Sequence, residues 1–379
     1  MQIIDRYLLA QFLKVFVICF FSLTGLYIVI DGFSYLDDFM IYADKHGQLL
    51  PVMGQYYAYR SLSFFDRTSG ILTLIAAMFT VTWIQRHNEL TALEAAGLSK
   101  GRIIKPVIVA VAVISLLAAL NRELVIPRIR GSLSRTPQNL DGKNAQTLEF
   151  SYDNATNVLL RGSETIADEQ SIVKPDFFLP PELVVGSKKH IAAERAYYRP
   201  AFGDKPAGYL FDQLQQPLDR QPSIEQDGKR VILTPRDTPW LKPGQCFVVS
   251  GVSFEQLEGG STWQRYSSLS ELISGLRNPS LGFSEDVRVA IHSRLVQPLL
   301  DVTLLFLGLP LVLSRKNRNM FLAIGLSMIL VALFMGITMA CQYLGSNYAY
   351  SMISPALAAW LPLMIFVPWA AGTADALLE

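Results

Sequence analysis

Apolar residues are concentrated in six stretches, each long enough to cross the hydrocarbon core of a bilayer. That core is about 30 Å thick and requires about twenty helical residues. Three stretches precede a long polar region and three follow it: residues 12–36, 68–84, 103–120, 295–313, 320–343 and 353–371. The pattern predicts a polytopic α-helical membrane protein with six transmembrane helices.

The first stretch has to be distinguished from a cleaved signal peptide. Its charge-free part, residues 15–30, is longer than the roughly 7 to 15 apolar residues usual in such a peptide. Residues 33–39 behind it are aromatic and acidic, unlike the small residues of a cleavage site. We therefore expect an uncleaved helix.

The polar region, residues 121–283, is rich in proline and contains short runs of β-branched and aromatic residues between turn signals. Strands are expected at residues 147–152, 157–161, 190–198, 208–214, 230–234, 246–254 and 262–266. Short strands at this spacing predict a sandwich or jelly roll. The predicted domains are residues 1–120 with three spans, 121–283 with a β-jelly-roll-like fold, and 284–379 with three more spans. A helix starting at Ser284 is expected to lead into the fourth span.

The lysines and arginines that flank the spans are unequally distributed. An N-terminus inside the cell places nine of them on the cytoplasmic side: Arg6, Lys14, Arg86, Lys100, Arg102, Lys105, Arg315, Lys316 and Arg318. The short outer loops hold three, Lys45, Arg60 and Arg67. Because positive flanks are retained in the cytoplasm, both termini are predicted to be cytoplasmic and the insert to lie on the outer side.

The composition adds little beyond exclusions. A net charge of +1 and 17% charged residues exclude a disordered chain and a nucleic-acid binder acting through a basic face. Cys246 is the only cysteine in the insert, so no disulfide can form within that domain. In an expected strand, Cys246 is interpreted as a buried small hydrophobe in preference to a reactive thiol.

The loop between the second and third stretches predicts a short amphipathic helix at about residues 85–97. Leu90 and Leu93 lie three residues apart, Gly97 fits a left-handed C-terminal cap, and Ser99 can cap the next helix. The helix could dock onto a motor subunit or could be a solvated connector, and the residues alone leave both open. His87 and Glu89 superficially resemble a zincin motif, but no second histidine follows at the required spacing, so no metal site is predicted.

Four charged residues near the outer ends of the spans form an expected polar cluster: Asp31, Asp66, Arg67 and Asp301. Charge in a membrane is costly and often functional. We expect Arg67 to pair with Asp31 or Asp301. A structural ion pair is favoured over contact with a lipid headgroup or a role in gating.

The chain has no phosphate-binding loop. Gly142-Lys143 and Gly228-Lys229 lack both the upstream glycine and the following Ser or Thr. No cofactor is therefore expected on this chain, and active transport would require ATP hydrolysis in a separate subunit. The sequence contains no His-Glu-x-x-His motif, and no Gly-x-Ser-x-Gly motif lies within a span, since the one match, Gly97 to Gly101, is in the loop before the third span; this argues against an intramembrane enzyme.

Three strings of residues, in order along the chain, resemble a known family. They are Ile4-Asp-Arg-Tyr-Leu8, the loop from Glu89 to Ser99, and Arg294-Leu-Val-Gln-Pro298. Together with the arrangement of three spans, β insert and three spans, they resemble the lipopolysaccharide-export permeases of the LptF/LptG family over nearly the whole chain.

The resemblance implies a permease subunit of an ABC-type transporter in the bacterial inner membrane. Such a subunit extracts lipopolysaccharide, or a related large amphipathic lipid, and passes it to periplasmic bridge proteins. The implied partners are a cytoplasmic LptB-like ATPase dimer that uses ATP, a second LptF/LptG-type permease, and periplasmic LptC/LptA-like jelly-roll proteins. A membrane-anchored assembly scaffold is the alternative, followed by an intramembrane lipid-modifying enzyme.

The resemblance also implies roles for particular residues. Glu89 matches the family's coupling carboxylate, in an ATPase-docking loop that includes Arg86, Leu90, Leu93 and Gly97. Spans one and five form a lateral gate in the family, and the expected wall residues here are Phe16, Phe20, Phe21, Leu330 and Phe334. G-type members place lysines near the outer end of the first span, where this chain has Asp31, Asp37 and Asp38. Lysine-mediated phosphate recognition is therefore not carried over.

Overall fold

The chain is described by a computed structural model covering residues 3–140, 146–148, 150–181, 189–226, 228–282, 285–313, 320–346 and 353–378. It forms two compact units. The helical unit comprises Met1–Ile129 and Ser284–Glu379, and the β unit comprises Arg130–Phe283.

The described residues before Asn121 form five α-helices. They are α1 (Ile3–Ser34), α2 (Leu36–His46), α3 (Leu49–Arg86), α4 (Glu89–Ala95) and α5 (Lys100–Leu120). The second span was expected at residues 68–84, but α3 is 38 residues long. Pro51 does not interrupt α3, because it lies in the first turn, where the missing N–H has no intrahelical acceptor. Arg60 and Arg67, assigned to outer loops from the sequence, therefore lie inside a helix.

The helical unit extends past the expected boundary at Leu120. Residues Asn121–Val125 continue α5 as a π-helical turn, and Pro127–Ile129 form a 3₁₀ turn. Leu62 accepts a hydrogen bond through its carbonyl from Asn121 Nδ2 at 2.9 Å, which holds the π-helical turn against α3.

The β unit begins with the short helix α6 (Arg130–Ser134), and its described residues form eleven strands. They are β1 (Gln146–Thr147), β2 (Ser151–Asp153), β3 (Val158–Leu160), β4 (Glu164–Ile166), β5 (Ser171–Val173), β6 (Asp176–Phe178), β7 (His190–Arg199), β8 (Gly208–Leu214), β9 (Ile224–Gln226), β10 (Lys229–Leu233) and β11 (Cys246–Val249). The pairings are antiparallel, in the order β1-β4-β5-β7-β8-β11-β10-β9, with β2, β3 and β6 joined through β7. A separate β domain between two helical segments is thus confirmed.

Two helices follow the last strand, α7 (Phe254–Tyr266) and α8 (Leu269–Arg277). The strand expected at residues 262–266 is wrong, because this segment belongs to α7. Ser253 and Gln256 form a capping box that starts the helix, and the expected strand 246–254 ends at Val249. The α7 helix bends at Gly260, whose φ is 40°.

The core of the β unit is apolar and aromatic. Phe177 contacts Tyr209 and Phe211 edge-on, with ring centroids 5.5 and 4.8 Å apart. Cys246 is fully buried beside them, and burial raises the pKa of its thiol. The interpretation of Cys246 as a buried hydrophobe is confirmed.

The chain returns to the helical unit through α9 (Glu285–Leu313), α10 (Met320–Ser346) and α11 (Pro355–Leu378). Ser284, where the helix was expected to start, and the loop residues Arg315, Lys316 and Arg318 lie outside the described residues. Helix α9 is central and packs against α3, α5, α10 and α11. Within the described residues, six helices are long and apolar enough to cross a membrane, as predicted.

Candidate functional site

The short helix α4 is held in a defined turn between α3 and α5. It starts after Asn88, whose φ of 58° is left-handed, and is followed by the capping residue Gly97, whose φ is 84°. The N–H of Leu98 donates to the Leu93 carbonyl at 3.1 Å, and that of Gly97 to the Glu94 carbonyl at 2.9 Å. This pair of hydrogen bonds is a Schellman motif, so the predicted glycine cap is confirmed.

The expected helix at residues 85–97 is divided in the structure. Arg86 is the last residue of α3, and the left-handed Asn88 separates it from α4. Ser99 caps α5 as predicted, accepting a hydrogen bond from the Arg102 N–H at 3.4 Å. The loop therefore consists of the short helix α4, of about two helical turns, with a hydrogen-bonded reversal of the chain before it and another after it.

The two faces of α4 differ. Leu90 is buried and Leu93 is partly buried against the helical core, which fixes the inner face. The outer face carries small exposed residues: Thr91, Ala92, Ala95 and Ala96. A face of small side chains lets another surface approach the helix backbone closely.

Glu89, the first residue of α4, is connected to α1. The hydroxyl of Tyr7 donates a hydrogen bond to Glu89 Oε1 at 3.3 Å. Asp5, which precedes Tyr7 by two residues in α1, accepts two hydrogen bonds from the Arg102 guanidinium, at 2.8 and 3.2 Å. The start of α1 is thus attached to both α4 and α5, and Tyr7 is a contact that sequence reasoning missed although it lies in the Ile4-to-Leu8 string.

At the other end of the helical unit, two ion pairs connect three helices. Arg122 Nε lies 2.8 Å from Asp66 Oδ1, and Arg294 Nη1 lies 3.7 Å from Glu123 Oε1. One member of each pair lies in the π-helical turn. Arg122 reaches Asp66 of α3, and the adjacent Glu123 reaches Arg294 of α9. The sequence analysis missed Arg122 and Glu123 because they lie beyond the apolar stretch.

The structure does not gather the expected polar cluster. Asp31 accepts a hydrogen bond from the Tyr57 hydroxyl at 2.9 Å, and Asp301 accepts one from Gln297 Nε2 at 2.9 Å. Among the described residues, no ion pair joins Arg67 to Asp31 or Asp301, so the expected pairing of Arg67 is wrong, and Asp66 pairs with Arg122. Asp301 is 6% exposed.

The expected gate residues do not form a single surface either. Phe16, Leu330 and Phe334 are buried in the core of this chain, and Phe20 is partly buried. Phe21 is 67% exposed on α1. The exposed apolar face of α10 includes Met328 and Ile329, which the sequence could not distinguish from core positions.

Comparison with known proteins agrees with this arrangement of helices and insert. No individual curated protein matches the sequence. The family described as "Lipopolysaccharide export system permease LptF/LptG" matches residues 6–167 and 190–374, which include both sets of spans and most of the β unit. A match of this length identifies a multi-pass membrane protein, and the chain belongs to the LptF/LptG family of lipopolysaccharide export permeases.

Proposed function

We propose that this chain is one permease subunit of an ABC-type transporter that extracts lipopolysaccharide, or a related large amphipathic lipid, from the inner membrane. A cytoplasmic ATPase dimer supplies the energy, and a second LptF/LptG-type permease completes the membrane part. The β unit passes the lipid to periplasmic proteins with a similar β fold. Both termini and α4 face the cytoplasm.

The observation that carries this proposal is the construction of α4. Leu90 anchors the helix to the membrane-spanning core, while the outer face of small residues is free for close contact. Glu89 is half-buried at the first turn and bonded to α1. A partner that pulls on α4 would therefore move α1 as well, as an ATPase-driven permease requires.

The lipid-facing walls are proposed on the exposed faces of α1 and α10. Helix α1 is the least buried of the six candidate spans, with 11% of its apolar window buried. It packs on α3 and α5, whereas α10 packs on α9 and α11. Their open faces, which include Phe21 and Met328, suit a cavity completed by a second permease.

The test is reconstitution of the full-length chain with its ATPase and partner permease in lipopolysaccharide-containing liposomes. Glu89→Ala is compared with Glu94→Ala, a control that removes a carboxylate from the same helix. We expect Glu89→Ala to assemble with the ATPase but to lose transport, and Glu94→Ala to keep it.

Three results would contradict the proposal. An assembled wild-type complex that hydrolyses ATP without moving lipid would favour a scaffold. Covalent change of the lipid by the chain would favour an enzyme. Equal transport by the Glu89→Ala and wild-type complexes would remove α4 from coupling.

A further inference from the structure

A groove of about 660 Å³ runs between α1 and α5 on the surface of the helical unit. Its walls are apolar over most of their length, formed by Leu9 and Leu13 of α1 and by Val109, Val113 and Leu117 of α5. All five side chains belong to helices that are long and apolar enough to span the membrane. The groove therefore opens toward lipid and excludes water along most of its length.

One end of the groove is cationic. Lys105 lies in its wall and is exposed, and among the described residues no ion pair involves it. Arg102 lies in the same wall, but Asp5 balances its charge through two hydrogen bonds. Helix α5 begins nearby at Lys100, so the positive end of its dipole is at this end too. An anion is favoured next to Lys105.

The length of the groove distinguishes a lipid chain from a protein helix. From Lys105 to Leu117 is twelve residues, or about 18 Å at 1.5 Å per residue. One leaflet contributes about half of a 30 Å hydrocarbon core, whereas a transmembrane helix would need a groove along the whole core. The groove matches one acyl chain whose headgroup lies at Lys105.

We propose that this groove binds an anionic phospholipid, with its phosphate beside Lys105 and one acyl chain along Val109, Val113 and Leu117. This lipid is a bound component of the permease and is distinct from the transported cargo. The inference rests on α1 and α5 spanning a membrane and does not depend on coupling to ATP hydrolysis.

The experiment uses the full-length chain with its native subunits in nanodiscs of phosphatidylcholine containing phosphatidylglycerol. After extraction in mild detergent, native mass spectrometry counts the phospholipids retained per complex and identifies their class. Lys105→Ala is compared with Lys14→Ala, which removes an exposed lysine of α1 outside the groove. Val113→Trp, which fills the groove, is compared with Leu116→Trp, at an exposed position of α5 outside it.

We expect the parent complex to retain phosphatidylglycerol in preference to phosphatidylcholine. One lysine beside an anionic lipid accounts for about a fivefold change in affinity, so Lys105→Ala should retain about fivefold less. Val113→Trp should lose the lipid as well, and both controls should retain it.

Three outcomes would overturn the inference. Equal retention of the two lipid classes by the parent would show no anion preference. Undiminished phosphatidylglycerol in Lys105→Ala and Val113→Trp would place the lipid elsewhere. Loss of a protein subunit from Val113→Trp with an unchanged lipid count would show that a partner helix fills the groove. None of these readouts depends on transport, so failure of the transporter proposal would leave them interpretable.

Discussion

Breaking the ion pair between Arg122 and Asp66 should destabilise the helical unit strongly. The two side chains are only 19% and 13% exposed, and their atoms are 2.8 Å apart. An exposed ion pair contributes about 0 to 1 kcal/mol, but removing one partner of a buried pair costs about 3 to 5 kcal/mol because the remaining charge is left without compensation. Because both side chains are so little exposed, the pair of Arg122 and Asp66 is expected to behave as a buried ion pair.

The neighbouring charges predict which substitution costs more. Asp66 is also attracted by the charges of Arg67 and Arg294, so Arg122→Met leaves it partly compensated. We expect a loss of about 3 kcal/mol for Arg122→Met. Asp66→Asn leaves Arg122 next to Arg294 without the intervening carboxylate, and the loss should be larger.

The assay is unfolding of the purified chain in mixed micelles by titration with sodium dodecyl sulfate. The double variant Arg122→Met with Asp66→Asn leaves neither charge of the pair, so it should recover most of the stability lost by either single variant. Arg128→Met removes an exposed arginine of the 3₁₀ turn and is the control, with an expected change within about 0.5 kcal/mol. If Arg122→Met loses no more stability than the control, or if the two losses simply add in the double variant, the buried-pair reasoning is refuted.

Three further predictions concern α4 and the β unit. Tyr7→Phe removes a long, exposed hydrogen bond of about 0.5 kcal/mol to Glu89, so lipid-dependent ATP hydrolysis by the complex should fall about twofold. Because burial raises the pKa of the Cys246 thiol, little thiolate forms at pH 8. Maleimide should therefore label Cys246 slowly in the native chain and rapidly in the denatured chain. Rapid labelling of the native chain would contradict the burial of this thiol. Ser253→Ala removes the capping box with Gln256 and should cost about 1 kcal/mol, seen as a lower melting temperature of the chain, whereas Ser253→Asp should keep most of the stability.

The sequence predicted the six spans well because length and hydropathy alone decide which segments can cross a bilayer. It placed the start of α3 too late, because residues 49–67 are polar enough to look like a loop although nothing in them stops a helix. Short strands such as β4 and β9 were missed, since three residues carry no detectable alternation. The error at residues 262–266 came from scoring β-branched and aromatic residues without the capping box upstream.

The candidate site was predictable where the signal is local. The cap at Gly97 and the anchoring leucine Leu90 follow from residues close together in the chain. The partners of Glu89 and Asp66 are 82 and 56 positions away, and only the packing of the helices brings them together. For the same reason, sequence could not separate the exposed Phe21 from the buried Phe16.

The length of α3 indicates where the membrane surface lies along it. Its 38 residues span about 57 Å, nearly twice the thickness of the hydrocarbon core. If Arg86 lies at one boundary between hydrocarbon and water, Asp66 lies at the opposite one. The two residues are twenty positions apart in α3, or about 30 Å, which is the thickness of the hydrocarbon core. The Arg122 pair then lies at the boundary of the bilayer, and the first half of α3, with Tyr57 and its partner Asp31, extends into water or headgroups. Asp301 packs against Gly70 so closely that a side chain at that glycine would overlap its carboxylate. Because Gly70 follows Asp66 in the direction of Arg86, Asp301 lies on the hydrocarbon side of this boundary.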